Sequence, residues 1–306
     1  MLWGRQRASG FRLAMTLLTA FPLNVTPPRG SAPPLNVTPP GGPAPPLNVT
    51  PPGGPAPPPN VTPPGGPAPP PNVTPPGGSA PSRRAAGAAM AWAPAIGLLL
   101  GALAAAVLEL ASRFGHTGPL LAAALAVATL AAGSRGLHLD GLADLADGLG
   151  SRRPADQALE IMKRSDIGPF GVVTLVFALL IQVAALAQAQ SLGRGVAAVA
   201  AAAVAGRLSL TWACRRGVPA ARGSGLGAMV AGTVNPLIPI ALTAAIVAGT
   251  AAFWPVIGVA IAAGLASSVV VTIWAVRRLG GITGDVLGAL VEITVTVCLA
   301  VTAVRV

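Results

Sequence analysis

Charged residues are scarce in this chain of 306 residues: Asp, Glu, Lys and Arg make up 9% of it, and only nine residues are acidic. Cysteine is rarer still, and Cys214 and Cys298 lie in or beside apolar segments with no paired spacing. A disulfide framework and a zinc site are therefore not expected. The sequence also has no Walker loop and no Ser-His-Asp order, so the usual signatures of nucleotide hydrolases and triad hydrolases are missing.

Apolar residues dominate instead. Hydrophobic residues make up 53% of the chain, its mean hydropathy is +0.68, and long Ala/Leu/Val runs recur from residue 85 onward. Because a helix needs ~20 apolar residues to cross a bilayer, the sequence predicts an all-α fold, a polytopic integral membrane helical bundle. About seven transmembrane helices are predicted, at 88–110, 118–134, 168–190, 195–213, 236–253, 255–276 and 286–304.

The distribution of positive charge predicts the orientation of these helices. With the N-terminus inside, sixteen of the twenty Lys and Arg residues fall in inner segments. Arg113, Arg194 and Arg305 fall in outer segments, and Arg207 falls inside a span. Such a bias follows the positive-inside rule. The net charge of +11 therefore reflects topology, and nucleic acid is not an expected partner.

Composition divides the chain into three parts. Residues 22–81 form five tandem twelve-residue units rich in Pro and Gly, such as PLNVTPPGGPAP, which predicts a disordered segment with local polyproline-II structure. Residues 1–21 are expected to form an N-terminal segment with a short interfacial or re-entrant helix at 11–21. Residues 83–306 are expected to form a membrane-embedded catalytic domain. A scaffold whose repeats recruit proline-binding partners is an alternative to a catalytic role.

The stretch HLDGLADLADGLG, residues 138–150, concentrates acidic residues in a chain that has few of them. At about 100° per residue, a helix places Asp140, Asp144 and Asp147 on one narrow face. Three carboxylates this close repel each other unless a cation neutralises them, and Mg²⁺ binds carboxylates together with substrate phosphates. The stretch predicts a Mg²⁺ site, with Gly141 and Gly148 allowing a ligand to approach. A solvated acidic helix face is the structural alternative.

A second stretch, EIMKRSDIGPFG at 160–171, places Lys163, Arg164, Ser165 and Asp166 just before a predicted span. Cations beside a carboxylate stripe are able to hold phosphate oxygens. These four residues are therefore candidate substrate contacts, although a positive-inside flank also explains the two cations. His138 flanks the acidic stripe and is a further candidate substrate contact and proton-transfer group.

The third stretch, RRLGGITGDVLGALVE at 277–292, is expected to begin with a flexible glycine loop. Asp285 then follows either as a helix cap or, on the same membrane side as Asp140, as a catalytic metal ligand or base. Glu292 lies seven residues further along the same face. Glu292 and Arg207 are both expected inside the membrane, and an ion pair would allow both to be buried.

These three stretches resemble the most characteristic segments of the cobalamin synthase family, the adenosylcobinamide-GDP ribazoletransferases. FRLAMTLLTAFP near the start and AMAWAPAIGLLLG at 89–101 are similar to the opening segments of the family. The resemblance covers most of residues 11–21 and 83–304. One departure stands out: this chain has Lys163-Arg164-Ser165-Asp166 where many members have Lys-Asp-Ser-Arg, so that the acid and the second base have exchanged places.

The resemblance implies a reaction in the last assembly step of cobalamin biosynthesis. The 5′-hydroxyl of α-ribazole, or of α-ribazole 5′-phosphate, attacks the cobinamide-side phosphorus of adenosylcobinamide-GDP, and GMP leaves in a Mg²⁺-dependent step. It implies catalytic roles for Asp140, Asp144, Asp147 and Asp285, of which the first three would bind the metal. It also implies phosphate contact by Lys163 and a multi-pass protein of the bacterial plasma membrane with a cytoplasmic-side site.

The expected partners are the two substrates, the lipid bilayer and other cobalamin-assembly enzymes. The main alternative is a polytopic transporter or cation channel. Transporters place ionisable groups near the bilayer midplane, whereas the acidic residues here gather at one membrane edge.

Overall fold

The computed structural model describes residues 82–114 and 117–305. The expectations for 1–21 and for the repeats at 22–81 lie outside the described residues. Within the described part all regular elements are helices, and backbone pairing between extended segments is limited to two isolated bridges. The predicted all-α membrane fold is therefore confirmed.

Ten helices are described along the chain. They are α1 (Arg83–Arg113), α2 (Pro119–Gly133), α3 (Leu137–Gly150), α4 (Ala155–Ile161), α5 (Pro169–Ser191), α6 (Gly195–Ala213), α7 (Gly225–Val230), α8 (Leu237–Ala251), α9 (Pro255–Leu279) and α10 (Gly284–Thr302).

Local sequence explains where several of these helices begin. α2, α5 and α9 each start with a proline, Pro119, Pro169 and Pro255. Proline suits the first helical position because its missing N–H has no intrahelical partner there and its φ is already helical. The alanine-rich segments that follow have high helix propensity.

The seven predicted spans coincide with α1, α2, α5, α6, α8, α9 and α10. Five of these, α1, α5, α6, α9 and α10, are long and apolar enough to cross a membrane. α2 and α3 pass the same test only together and are bent by 87° relative to each other, and α8 is a shorter apolar helix. The positions of the seven helices are thus confirmed, whereas their number as membrane spans stays a prediction.

The core of the bundle is formed by α6 and α10, whose residues are the most buried among the five spans. α1 lies along α6 at close range: a Cβ added at Gly97 would come within 2.5 Å of the Ala203 carbonyl oxygen. Small residues at such interfaces let membrane helices approach closely and gain van der Waals contact.

Arginine side chains tie together the end of the bundle that carries α3 and α4. Arg83 donates to the carbonyl of Ala231 at 3.0 Å, and Arg278 donates to the carbonyl of Arg153 at 2.7 Å. All four residues belong to the segments predicted to lie inside. We refer to the end of the bundle that carries α3 and α4 as its basic end.

Candidate active site

A sharp turn carries the chain from α2 into α3. Arg135 and Gly136 both have positive φ, 55° and 73°, and Ser134 donates to the carbonyl of Ala131 at 3.1 Å. Positive φ is costly for most residues but not for glycine. The turn lays α3 across the end of the bundle, outside the five spans.

α3 is amphipathic and holds two carboxylates towards solvent. Leu142, Leu145 and Leu149 are buried, whereas Asp140 is exposed and Asp144 is half-buried. Asp140 and Asp144 are one helical turn apart, so their side chains neighbour each other.

Both carboxylates line a cavity of about 570 Å³, the acidic cavity. Arg164, Ser165 and Asp166 line it as well. The first and second sequence stretches therefore meet in space as predicted. Arg164 and Asp166, whose order is exchanged relative to many family members, both lie on the wall of this cavity.

Lys163 is placed differently from its neighbours. Its ammonium group contacts the Glu160 carboxylate at 2.5 Å on the exposed surface of α4 and the turn that follows. This hydrogen bond lowers the pKa of Glu160. Lys163 is not part of the acidic cavity wall, and its phosphate contact stays a prediction.

The third stretch joins the site through a close approach of α3 to α10. A Cβ at Gly141 would lie 2.6 Å from the carbonyl oxygen of Asp285, so only glycine fits there. The prediction that Gly141 lets a ligand approach is therefore wrong, because the backbone of another helix occupies that space. Gly148 packs in the same way, against the side chain of Met162.

Asp285 is not the cap of its helix, and that interpretation is wrong. The N-cap is Thr283, whose hydroxyl accepts from the Val286 N–H at 3.2 Å. The Asp285 carboxylate accepts from the Thr283 hydroxyl at 3.2 Å and remains partly exposed.

The glycine loop before Asp285, which the sequence predicts to be flexible, is held by two backbone hydrogen bonds. Ile282 donates its N–H to Pro219 and accepts from Ala221, each at 3.0 Å. Gly280 ends α9 with φ of 81°, and Gly281 packs against the backbone of Ala220. These glycines therefore serve tight packing.

The same two hydrogen bonds position Arg222, which in the sequence is only one of the many inner-side charges. Its guanidinium lies 3.7 Å from the Asp285 carboxylate and donates to the Leu159 carbonyl at 2.5 Å. Its Nε is buried and has no hydrogen-bond partner among the described residues. In the sequence Arg222 looks like the other inner arginines. Its position beside the GGITGD stretch becomes visible only in the folded structure.

Electrostatics in this cluster favour neutralisation by a cation. The pKa of Asp144 is raised from 3.8 to about 7, first because burial penalises the charged form. The carboxylates of Asp140, Asp285 and Asp147 raise it further, and only Arg222 opposes them. The carboxylates around Asp144 therefore carry more negative charge than the Arg222 guanidinium balances.

Asp147 is not on the wall of this cavity but lines a neighbouring one of about 220 Å³, together with Asp144, Arg164 and Asp166. Its Oδ2 accepts from the Gly168 N–H at 2.7 Å, and its Oδ1 accepts from the Gly171 N–H at 2.9 Å. Both are free N–H groups at the start of α5, so Asp147 caps that helix from a distance. Gly168 and Gly171 give room for the carboxylate, because a Cβ at either would collide with it.

In the part of the chain that the structure describes, no three His, Cys, Asp or Glu side chains are close enough to share one metal ion. The set of Asp140, Asp144 and Asp147 is therefore not gathered at one point. Two carboxylates on one cavity wall still suit Mg²⁺, which usually takes one or two carboxylates and completes its shell with phosphate and water.

His138 is buried on the side of α3 that faces the bundle. Its Nδ1 lies 3.5 Å from a guanidinium nitrogen of Arg207, which is only 1% exposed. The ion pair predicted between Arg207 and Glu292 is wrong as a direct contact: the ion pairs found among the described residues do not include it. Glu292 instead accepts from the Gln182 amide at 2.9 Å, and both charged side chains line one small cavity.

The fold and the site define a polytopic membrane protein with a cavity lined by acidic and basic side chains at one end of its bundle. A family model described as cobalamin-5-phosphate synthase matches residues 71–303. The chain belongs to this family, as the sequence resemblance predicts.

Individual relatives agree with this assignment. An adenosylcobinamide-GDP ribazoletransferase of Frankia casuarinae is 42% identical over 245 residues, covering 73% of this chain and 87% of the relative. One of a Nocardioides species is 40% identical over 217 residues, covering 71% and 87%. One of Rhizobium etli is 37% identical over 221 residues, covering 69% and 84%. No solved structure matches the chain. The relatives support a transferase and give no support to a transporter or channel.

Proposed function

We propose that this chain is an adenosylcobinamide-GDP ribazoletransferase that completes cobalamin at the bacterial plasma membrane. One observation carries the proposal beyond the similarity to relatives. Stretches around Asp140, Arg164 and Asp285, distant in sequence, converge at the basic end of the bundle and surround one cluster of carboxylates and guanidinium groups.

The reaction is a substitution at phosphorus. The 5′-hydroxyl oxygen of α-ribazole, or of its 5′-phosphate, forms a bond to the phosphorus that carries cobinamide. The bond from this phosphorus to the bridging pyrophosphate oxygen breaks, and GMP leaves with that oxygen and its electron pair. The hydroxyl proton passes to a carboxylate. Catalysis of this type depends on positioning and on stabilising negative charge.

We assign the cation site to Asp140 and Asp144, which share one wall of the acidic cavity. A bound Mg²⁺ neutralises phosphate oxygens and the charge that develops on the leaving group. Asp147 is assigned to holding α3 and the start of α5 together, because both of its oxygens accept backbone N–H groups. Its predicted metal role is therefore not carried into this proposal.

Most of the remaining charged groups act on the substrate directly. Arg164 lines the acidic cavity and is able to donate to pyrophosphate oxygens. Arg222 acts through Asp285, whose carboxylate lies 3.7 Å from its guanidinium. Asp285 lines a common cavity with Asp140 and is the proposed acceptor of the hydroxyl proton. Ser165 and Asp166 lie beside Arg164 on the same wall and complete the substrate contacts.

The positive-inside bias supports a cytoplasmic position for the site, because the segments that surround it hold most of the arginines. At the membrane surface it is accessible to water-soluble nucleotides. Other cobalamin-assembly enzymes are proposed partners that deliver adenosylcobinamide-GDP to this surface.

The test uses the full chain, purified in detergent and supplied with adenosylcobinamide-GDP, α-ribazole and Mg²⁺. We expect GMP and adenosylcobalamin in equal amounts, and neither product when α-ribazole is omitted. Asp144→Asn should abolish turnover, whereas Glu109→Gln, at the far end of α1, should leave it intact. Absence of both products in the unmodified chain would overturn the proposal.

A further inference from the structure

A second cavity shares Asp140 with the acidic cavity. It measures about 180 Å³, and its wall includes Met90, Leu210, Leu226 and Leu287, from four different helices. Met90, Leu210 and Leu287 are at most 3% exposed, whereas Leu226 is half-buried. We call it the apolar cavity.

The lining of the apolar cavity is unsuited to phosphate. Among its described lining residues there is no Lys or Arg, and two of its polar members are the carboxylates Asp140 and Asp285. Its leucine and methionine side chains favour a flat apolar group, and methionine adapts its shape to such a ligand. A bicyclic aromatic ring fits the volume, whereas a corrin macrocycle does not.

His138 gives this wall one directional polar group. A guanidinium only donates hydrogen bonds, so in its contact with Arg207 the Nδ1 of His138 is the acceptor. The proton of the neutral ring then resides on Nε2. His138 therefore offers a single N–H donor, which matches a ring nitrogen that carries a lone pair.

Asp140 belongs to the walls of both cavities, as does Leu137. Two substrates that react with each other must place their reacting atoms at a shared boundary. A nucleoside with its base in the apolar cavity would bring its 5′-hydroxyl to Asp140 and Asp285. A pyrophosphate in the acidic cavity would reach the same boundary from the other side.

We propose that the apolar cavity is the subsite for the aromatic base of the nucleoside acceptor, and that His138 donates to the free ring nitrogen of that base. This proposal rests on the proposed function, in which the acceptor is α-ribazole, a nucleoside of dimethylbenzimidazole. It divides the site by chemistry: the base binds among apolar side chains, and the pyrophosphate binds among charged ones.

The first test fills the cavity in the full-length protein. Leu226→Trp should raise the KM for α-ribazole on the order of tenfold or more, as for other changes of size in apolar pockets. The KM for adenosylcobinamide-GDP should not change. Leu120→Trp, on an exposed apolar position of α2, is the matched control and should alter neither KM.

The second test begins with the unmodified chain. Free 5,6-dimethylbenzimidazole should inhibit the unmodified chain competitively with α-ribazole, and 5,6-dimethylindole, which lacks the acceptor nitrogen, should inhibit more weakly. In His138→Phe this difference should disappear. Equal inhibition by both compounds in the unmodified chain would overturn the role of His138.

The outcomes separate this proposal from the proposed function. If Leu226→Trp raises only the KM for adenosylcobinamide-GDP, or if dimethylbenzimidazole competes with that substrate, the subsite assignment is wrong while the enzyme remains a ribazoletransferase. If the unmodified chain forms no product, the proposed function itself has failed.

Discussion

The carboxylate of Asp147 on α3 accepts a hydrogen bond from the backbone N–H of Gly168 and so caps the start of α5, although the two residues are 21 positions apart. The bond joins the acidic helix to a membrane span. It also fixes the chain between them, which carries Arg164 and Asp166 to the acidic cavity.

Removing this cap should destabilise the protein without abolishing metal binding. Asp147→Ala should lower stability by about 1–2 kcal/mol, the usual range for a lost cap, and Asp147→Asn should lower it less because one acceptor oxygen remains. Thermal unfolding in detergent measures the loss, and Mg²⁺ titration of activity provides the comparison. A large rise in the Mg²⁺ requirement with unchanged stability would instead identify Asp147 as a metal ligand.

The pKa of Asp144, about 7, predicts a pH dependence of stability. In the cation-free protein the folded state keeps a proton that the unfolded chain releases above its ordinary pKa of 3.8. The folded state therefore binds more protons in this range, and stability should fall as the pH rises from about 4 to about 7. Unfolding temperatures measured with chelator across this range should show the slope, and Asp144→Asn should flatten it. A slope that persists in Asp144→Asn would assign it to another group.

Arg222 is predicted to support the site by its charge. Arg222→Gln should reduce kcat/KM by about tenfold to a hundredfold, which corresponds to the 1.5–3 kcal/mol of a hydrogen bond to a charged group. Arg222→Lys should recover part of this loss because it restores the charge. Arg216→Gln, on an exposed residue of the same connection, is the control. Equal activity of Arg216→Gln and Arg222→Gln would remove Arg222 from the site.

Arg164 and Asp166 line the same cavity, so their order in the sequence should matter less than their joint presence. Arg164→Asp alone should reduce kcat/KM by about tenfold or more, since it adds an acid where phosphate is to bind. The double variant with Asp166→Arg should recover most of the activity. Steady-state kinetics of the single and double variants decide this. A double variant no better than the single one would show that each position has its own contact.

Gly141 should not tolerate a side chain. Gly141→Ala forces α3 and α10 apart at Asp285 and should cost about 1–3 kcal/mol, as overpacking does. It should also lower activity because Asp140 and Asp285 separate. Gly249→Ala, inside α8 with open space around it, should be neutral or stabilising because alanine favours a helix. Similar behaviour of the two variants would contradict a tight contact at Gly141.

The local parts of this structure could be read from the sequence. Apolar runs place the membrane helices, and helical spacing places Asp140 and Asp144 on one face of α3. The parts that depend on contacts between distant segments could not be read. Asp147 lies on the same stripe as Asp144 by its spacing, yet it binds the start of α5. Arg222 looks like any inner arginine until the backbone bridge to Ile282 brings it to Asp285.

The turn at Arg135 and Gly136 links the site to the thickness of the lipid around it. α2 has 15 residues and therefore spans about 22 Å, which is shorter than the ~30 Å hydrocarbon core of a typical bilayer. Hydrophobic mismatch of this kind is relieved by thinning the bilayer locally or by snorkelling of the flanking residues. Because α3 continues directly from α2, the depth of the carboxylates at the interface follows that adjustment. We therefore expect the lipid chain length to change the depth of the site.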